Sequence, residues 1–253
     1  MNLLFCIDGE EMKEIFKMGL GLYGKLIVIN IMCFFLAISM SVLATAVFTE
    51  DIGYTALIYN AETEELVTQY DYYYADGDDT KLAEYETDEY IVNKSTKKSE
   101  LTKGENTAFY FITQLFCIIM LIMFIYPNLW DRGTRDNNLV SFGHAAEDKL
   151  KGLKVGLIAI IPAVIFFIFL FVTKSNLMAK LPVGILRLIF SSTYSLNYLI
   201  CGNTMTVGEL SYIQLIFMML LNLLVPAIAF ASYILGYKNI SIGEKLVYKK
   251  NKK

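Results

Sequence analysis

Four stretches of the chain hold no charged residue and are apolar nearly throughout: Leu26 to Phe48, Ala108 to Leu129, Val155 to Thr173 and Leu210 to Leu235. At 1.5 Å of rise per residue, about 20 apolar residues cross a hydrocarbon core, so each stretch predicts a transmembrane helix. A buried helix of a soluble core would keep a polar face, and these do not. Helical spacing sorts each span into a packing stripe and a lipid stripe. In the first, Asn30, Cys33, Ala37, Ser41, Ala44 and Thr45 share one side; in the fourth, Ser211, Gln214, Met218, Asn222, Pro226, Ala229, Ser232 and Gly236 do. Gly152, Gly156, Ala159 and Ala163 form a stripe leading into the third span, and small residues let helix backbones approach closely. Thr113, Gln114 and Cys117 add polar positions to the second.

Between the first two spans the period changes to two. Tyr54 to Tyr59 and Leu66 to Tyr74 read as strands across the turn Asn60-Ala61-Glu62-Thr63, with weaker runs at Lys81 to Glu86 and Tyr90 to Lys94 across Asp76-Gly77-Asp78-Asp79. A small β-meander is predicted, because three or four strands can bury one tyrosine-rich face where a lone hairpin is marginal. Another charge-free stretch, Leu188 to Gly208, carries Ser191, Ser192, Thr193, Ser195, Asn197, Asn203 and Thr204, which suit hydrocarbon poorly. Val183 to Ile200 therefore reads as an interfacial or re-entrant segment with Tyr194 and Tyr198 near headgroup level. Ahead of the first span, Met12, Ile15, Phe16 and Gly19 form an apolar stripe beside Lys13, Glu14 and Lys17. This predicts an amphipathic surface helix with an elbow at Gly19, Gly21 and Gly24. Residues 1–25 also carry Asp8, Glu10 and Glu11 and no small-residue cleavage site, so the first span is expected to be retained.

Composition agrees with the spans. Of the 253 residues, 55% are hydrophobic and 19% charged, with a mean hydropathy of +0.47, which excludes a disordered chain and argues against a water-soluble enzyme. A net charge of −3 supplies no basic field for nucleic acid. The distribution matters more than the sum. With both termini in the cytoplasm, 14 of the 22 basic residues lie in cytoplasmic pieces, whereas residues 49–107 hold 15 of the 25 acidic residues against five lysines. The positive-inside rule favours that orientation, and a fifth span would place the lysine-rich tail outside.

The expected fold is an all-α integral membrane protein of a bacterial plasma membrane, with four transmembrane helices and a small β-rich extracytoplasmic insertion between the first and second spans. In order, it comprises a cytoplasmic amphipathic segment (1–25), a span (26–48), the acidic exterior β-rich loop (49–107), a span (108–129), a cytoplasmic loop (130–154), a span (155–173), the exterior interfacial or re-entrant segment (174–209), a span (210–235) and a basic cytoplasmic tail (236–253). Cys6 falls in the cytoplasm, Cys33 and Cys117 within spans and Cys201 outside, so no structural disulfide is expected.

Catalytic patterns are missing. The chain has no HExxH, no complete Walker A motif and no serine–histidine–aspartate set, so no catalytic residue, cofactor or metal is assigned. An EF-hand loop begun at Asp76 fails, since its sixth and twelfth positions are Lys81 and Thr87 rather than glycine and glutamate. Tyr70, Tyr72, Tyr73 and Tyr74 are read as packing ahead of a ligand face. His144, the only histidine, stands among Asp131, Asp136, Glu147 and Asp148 without ligand spacing. The densest segment follows the second span, where Asn137-Asn138 would cap a short amphipathic helix bearing Leu139, Val140 and Phe142. There Trp130, Asp131, Arg132, Arg135, Asp136, Phe142 and His144 are candidates for contact with a membrane or cytoplasmic protein. Lys249, Lys250, Lys252 and Lys253 are candidates for anionic lipid headgroups.

These features lead to the expectation of a non-catalytic membrane subunit, sensor or assembly factor in contact with the lipid bilayer and with no nucleic-acid partner. The alternative is an oligomeric channel or small-solute transporter lined by Asn30, Gln114, Gln214 and Asn222, although no ionisable residue lies within any span to carry a proton or charged solute.

Overall fold

The computed structural model describes residues 9–77, 79–202 and 204–241; Cys6, Asp8, Asp78, Asn203 and the lysines at 249, 250, 252 and 253 lie outside the described residues. The chain is mostly helical, and among the described residues four helices are long and apolar enough to cross a membrane. They are α1 (Gly9–Phe48), α3 (Lys103–Ser141), α4 (Lys151–Thr173) and the pair α7 (Tyr212–Leu221) and α8 (Leu224–Tyr237). Two compact units result. One holds residues up to 38 and from 110 onward, the other residues 39–109.

In the helical unit the apolar stripes meet. Ile15, Leu22, Leu26, Ile29 and Cys33 of α1 recur at steps of three, four and seven, as do Cys117, Leu121, Ile125 and Leu129 of α3. Cys33 and Cys117 are both fully buried and interact across this seam. Small residues decide where backbones cross. A Cβ at Gly156 would strike Pro226, one at Gly152 would strike Tyr233, and one at Gly236 would enter the Trp130 backbone. The expected elbow at Gly19 to Gly24 is replaced by unbroken helix, because Gly19 seats Ile158 of α4 and Ile15 is fully buried in the bundle. Likewise, no separate helix starts at Asn137: α3 runs through Pro127 to Ser141.

The fourth span breaks instead. Pro226 has no N–H to give the Asn222 carbonyl, and the helix stops at Leu221 and restarts at Leu224. The Asn222 carbonyl accepts from Val225 N at 3.2 Å instead, and the Asn222 side chain donates to the carbonyls of Met218 at 3.1 Å and Met219 at 3.3 Å.

Between α4 and α7 the chain forms α5 (Val183–Ile189) and α6 (Tyr194–Cys201), two short helices bent by 99°. The ends of this segment are stitched together, with Val183 N donating to Met205 O at 2.9 Å and Val207 N to Leu181 O at 2.9 Å. The segment therefore leaves and returns at one end. Phe190 at its bend stacks on Phe167 of α4, with ring centroids 4.9 Å apart.

The second unit contains a three-stranded antiparallel sheet in the order β2-β1-β3, from β1 (Asp51–Asn60), β2 (Leu66–Tyr73) and β3 (Tyr90–Lys98). The expected meander is corrected, because β3 returns to the far side of β1. The run Lys81 to Glu86 is also not a strand. Its start belongs to a single turn of helix, α2 (Thr80–Ala83), where the Asp79 side chain accepts from Leu82 N at 3.1 Å. That cap turns Leu82 inward, where it is buried.

The α1–α3 register is directly checkable. Oxidation of the full chain in membranes with copper phenanthroline should join the peptides containing Cys33 and Cys117 within one molecule, as seen by mass spectrometry. Cys33→Ser should remove the link, and a Cys33–Cys201 link in its place would refute the register.

Candidate functional site

At the end of the bundle where α1 begins, charged side chains from three helices converge under a tyrosine from a fourth. Arg132 and Asp136 stand one turn apart on α3 and so share a face, with Arg132 Nε 3.2 Å from Asp136 Oδ1. Lys151, the first residue of α4, places Nζ 2.9 Å from Asp136 Oδ2 and 3.2 Å from Glu14 Oε2. Arg132 also pairs with Glu14, and Tyr233 donates to Asp136 Oδ2 at 3.0 Å. Asp136 and Lys151 are each only 7% exposed. Burial alone would push the Glu14 carboxyl up, but Lys151 and Arg132 together hold it below its ordinary range.

This network floors a cavity of about 590 Å³ lined also by Glu11, Leu139, Val140, His144, Asp148 and Tyr237. Four of its carboxylates face two cations, which suits a basic group from a partner. Tyr237 donates to Glu147 at 3.1 Å; burial, then that bond, raises the phenol above its ordinary value.

The structure divides the candidate partner-contact residues. Arg132 and Asp136 turn inward, and Trp130 Nε1 donates to Ile240 O at 2.9 Å. Asp131, Arg135, Phe142 and His144 are exposed, Phe142 at 75%. Glu14, Lys151 and Tyr233 were not singled out by sequence. Lys151 stands one turn before buried Val155, so a charge at the head of a packing stripe was the available signal.

The four polar span residues also separate. Gln114 Nε2 donates to Ser192 O at 3.0 Å, and its Oε1 accepts from Leu196 N at 3.4 Å. Asn30 Oδ1 accepts from Ser192 N at 2.9 Å, so α1 and α3 both hold the bend between α5 and α6. Gln214 completes the capping box of α7 with Ser211 and donates to Ile200 O at 2.8 Å. Only Asn30 and Asn222 line a common cavity.

In the β unit the tyrosines divide between faces. Tyr54, Tyr70 and Tyr72 share one side of the sheet and Tyr73 lies on the other, paired with Lys97. Asp79 Oδ2 accepts from Tyr54 and, at 3.0 Å, from Tyr70, while Oδ1 serves Leu82 N. Its oxygens are thereby occupied by the fold. Burial opposes ionisation of Asp79, but these donors hold its carboxyl below the ordinary range. Burial and the bond to Asp79 push Tyr70 up to about 12.

Two predictions follow from these geometries. Asp79, depressed when folded, stabilises the β unit above about pH 4 and stops doing so as pH falls. Tyr70, raised when folded, stabilises it below about pH 10 and ceases to as pH climbs through the folded value. Phenolate absorbance of the full chain should therefore lose one late-titrating component on Tyr70→Phe, while others, that of Tyr54 among them, remain, and Asp79→Asn should return the Tyr70 and Tyr54 components toward ordinary values. At the charge cluster, Lys151→Met should cost about 3–5 kcal/mol by leaving Asp136 short of a partner, and adding Asp136→Leu should recover much of it. Thermal exposure of buried cysteines to a thiol-reactive dye in detergent would measure both variants.

No family model, curated protein or solved structure matches this chain.

Proposed function

We propose that this chain is a non-catalytic integral membrane protein of a bacterial plasma membrane. In this reading it crosses the bilayer four times with both termini in the cytoplasm and acts as a subunit, sensor or assembly factor. The observation that carries it is the charged cavity beside an exposed ledge. Glu14, Arg132, Asp136 and Lys151 fix the ends of α1, α3 and α4, and next to them Leu139, Phe142 and His144 stand uncovered. Buried ion pairs gain little stability over an apolar core, but they fix one arrangement of the elements that bear them. An exposed phenylalanine beside an oriented, net-acidic pocket provides an apolar anchor and a charge-selective socket for a partner bearing a basic side chain. The acidic β unit supplies an exterior surface for the same role. The positive-inside rule supports the orientation, and the lysine-rich tail would lie against anionic headgroups.

A photo-crosslinking amino acid placed at Phe142 in the native membrane should give a discrete heavier adduct, and one at Val172 should not. Absence of any Phe142 adduct, together with purification as a strictly lone monomer, would refute the proposal.

A further inference from the structure

A second cavity, of about 580 Å³, lies between α1, α4, the bend after α5 and the break before α8. This volume falls within the roughly 300–1,000 Å³ of small-molecule sites. Its walls are apolar, and no charged side chain lines it. Four lining residues carry a polar group: Tyr23, Asn30, Ser192 and Asn222. The last three each retain an unused group among the described residues. Asn30 commits Oδ1 to Ser192 N, which leaves Nδ2 without an acceptor. Asn222 commits Nδ2 to helix carbonyls, which leaves Oδ1 without a donor. The Ser192 backbone is bonded on both sides, by Asn30 and Gln114, but its hydroxyl has no partner. Free hydrogen-bonding groups are costly in an apolar wall unless something fills the space and bonds them.

The cavity also has a side. Ile27, Ile31 and Phe35 of α1 line it and are at the same time exposed, as are Leu188 and Ile189 of the re-entrant segment. On the four-span reading, on which this inference rests, those residues lie at hydrocarbon depth, and the gap between them faces acyl chains.

We propose that this cavity binds a neutral, hydroxyl-bearing long-chain lipid that enters laterally from the bilayer. A hydroxyl both accepts and donates, so it can serve the free Asn30 Nδ2 as acceptor and the free Asn222 Oδ1 as donor without bringing a charge into the cavity. An aliphatic chain matches the remaining wall, and a charged headgroup would find no counter-ion there.

The test reconstitutes the full chain into phosphatidylcholine vesicles with a trace of diazirine-bearing hexadecanol. Photolabel should concentrate on the segments 23–35 and 159–166, with competition by unlabelled hexadecanol or dioleoylglycerol but not by hexadecyl phosphate. Asn30→Leu with Asn222→Leu should lower labelling about tenfold, the effect of losing two neutral hydrogen bonds. Ala163→Phe, which fills the cavity, should do the same, and the Cys33–Cys117 crosslink reports whether each variant folds. Label spread over outward residues such as Ile165 and Val172, indifference of labelling to folded variants, or equal competition by hexadecyl phosphate would each overturn the site. Release of the chain by alkaline carbonate would overturn the four-span reading and the site with it, whereas retention with diffuse label overturns the site alone.

Discussion

Asp136 and Lys151 are buried against one another at 2.9 Å, and the register of the helical unit depends on that contact. Each charge finds its counter-ion on the other helix, so the contact holds α3 and α4 at one level along their axes. Glu14 brings α1 to the same level by reaching both Lys151 and Arg132, and the Tyr233 hydroxyl adds α8. The contact requires close backbones, which the glycines supply: α8 lies against Gly133 of α3 and against Gly152 and Gly156 of α4 at points with no room for a Cβ. Charge sets the level and small residues permit the distance. Either feature alone would leave four apolar rods free to slide past one another.

At the other end of the bundle, neutral groups hold the bent α5–α6 segment. Its bend interrupts helix at Phe190, which frees backbone groups, and buried backbone of this kind persists only when its polar groups are satisfied. Asn30 bonds the Ser192 N–H and Gln114 the Ser192 carbonyl, so two helices distant in sequence satisfy one residue. Arg187 adds a lid over the returning limb, donating to Gly202 O at 2.7 Å and lying over the Tyr198 ring.

Much of this was legible in the sequence. The four apolar runs mark the four long helices, and the stripes through Cys33, Cys117, Gly156 and Ala229 mark their buried sides, because a 3.6-residue period survives whatever the helices pack against. The misreadings arose where local signals met tertiary contacts. Gly19, Gly21 and Gly24 look like an elbow in isolation, yet Gly19 is small to admit Ile158. Asn137-Asn138 looks like a cap, yet α3 continues because Asp136 must face the cluster from a helix. The β2-β1-β3 order could not be read from alternation, which gives strands but not their neighbours. The charge cluster was half visible: Arg132 and Asp136 drew notice as surface charges, whereas their inward direction depends on Lys151 and Glu14, which are remote in sequence.

The irregularities of the helical unit are not scattered. Phe190 closes α5 and Asn222 follows α7, and both residues border the same cavity, together with Pro162 of α4. If breaks were tolerated only as defects, their freed groups would be expected to be satisfied and covered. Asn222 bonds the carbonyls of Met218 and Met219 but leaves Oδ1 unused, Asn30 secures the bend while leaving Nδ2 unused, and both residues line the cavity. An all-leucine solution with straight helices would fill the space and leave nothing unpaired. Instead, Asn30 and Asn222 each keep an unused polar group and line the same apolar chamber, so the breaks serve to shape that chamber as well as to interrupt the helices.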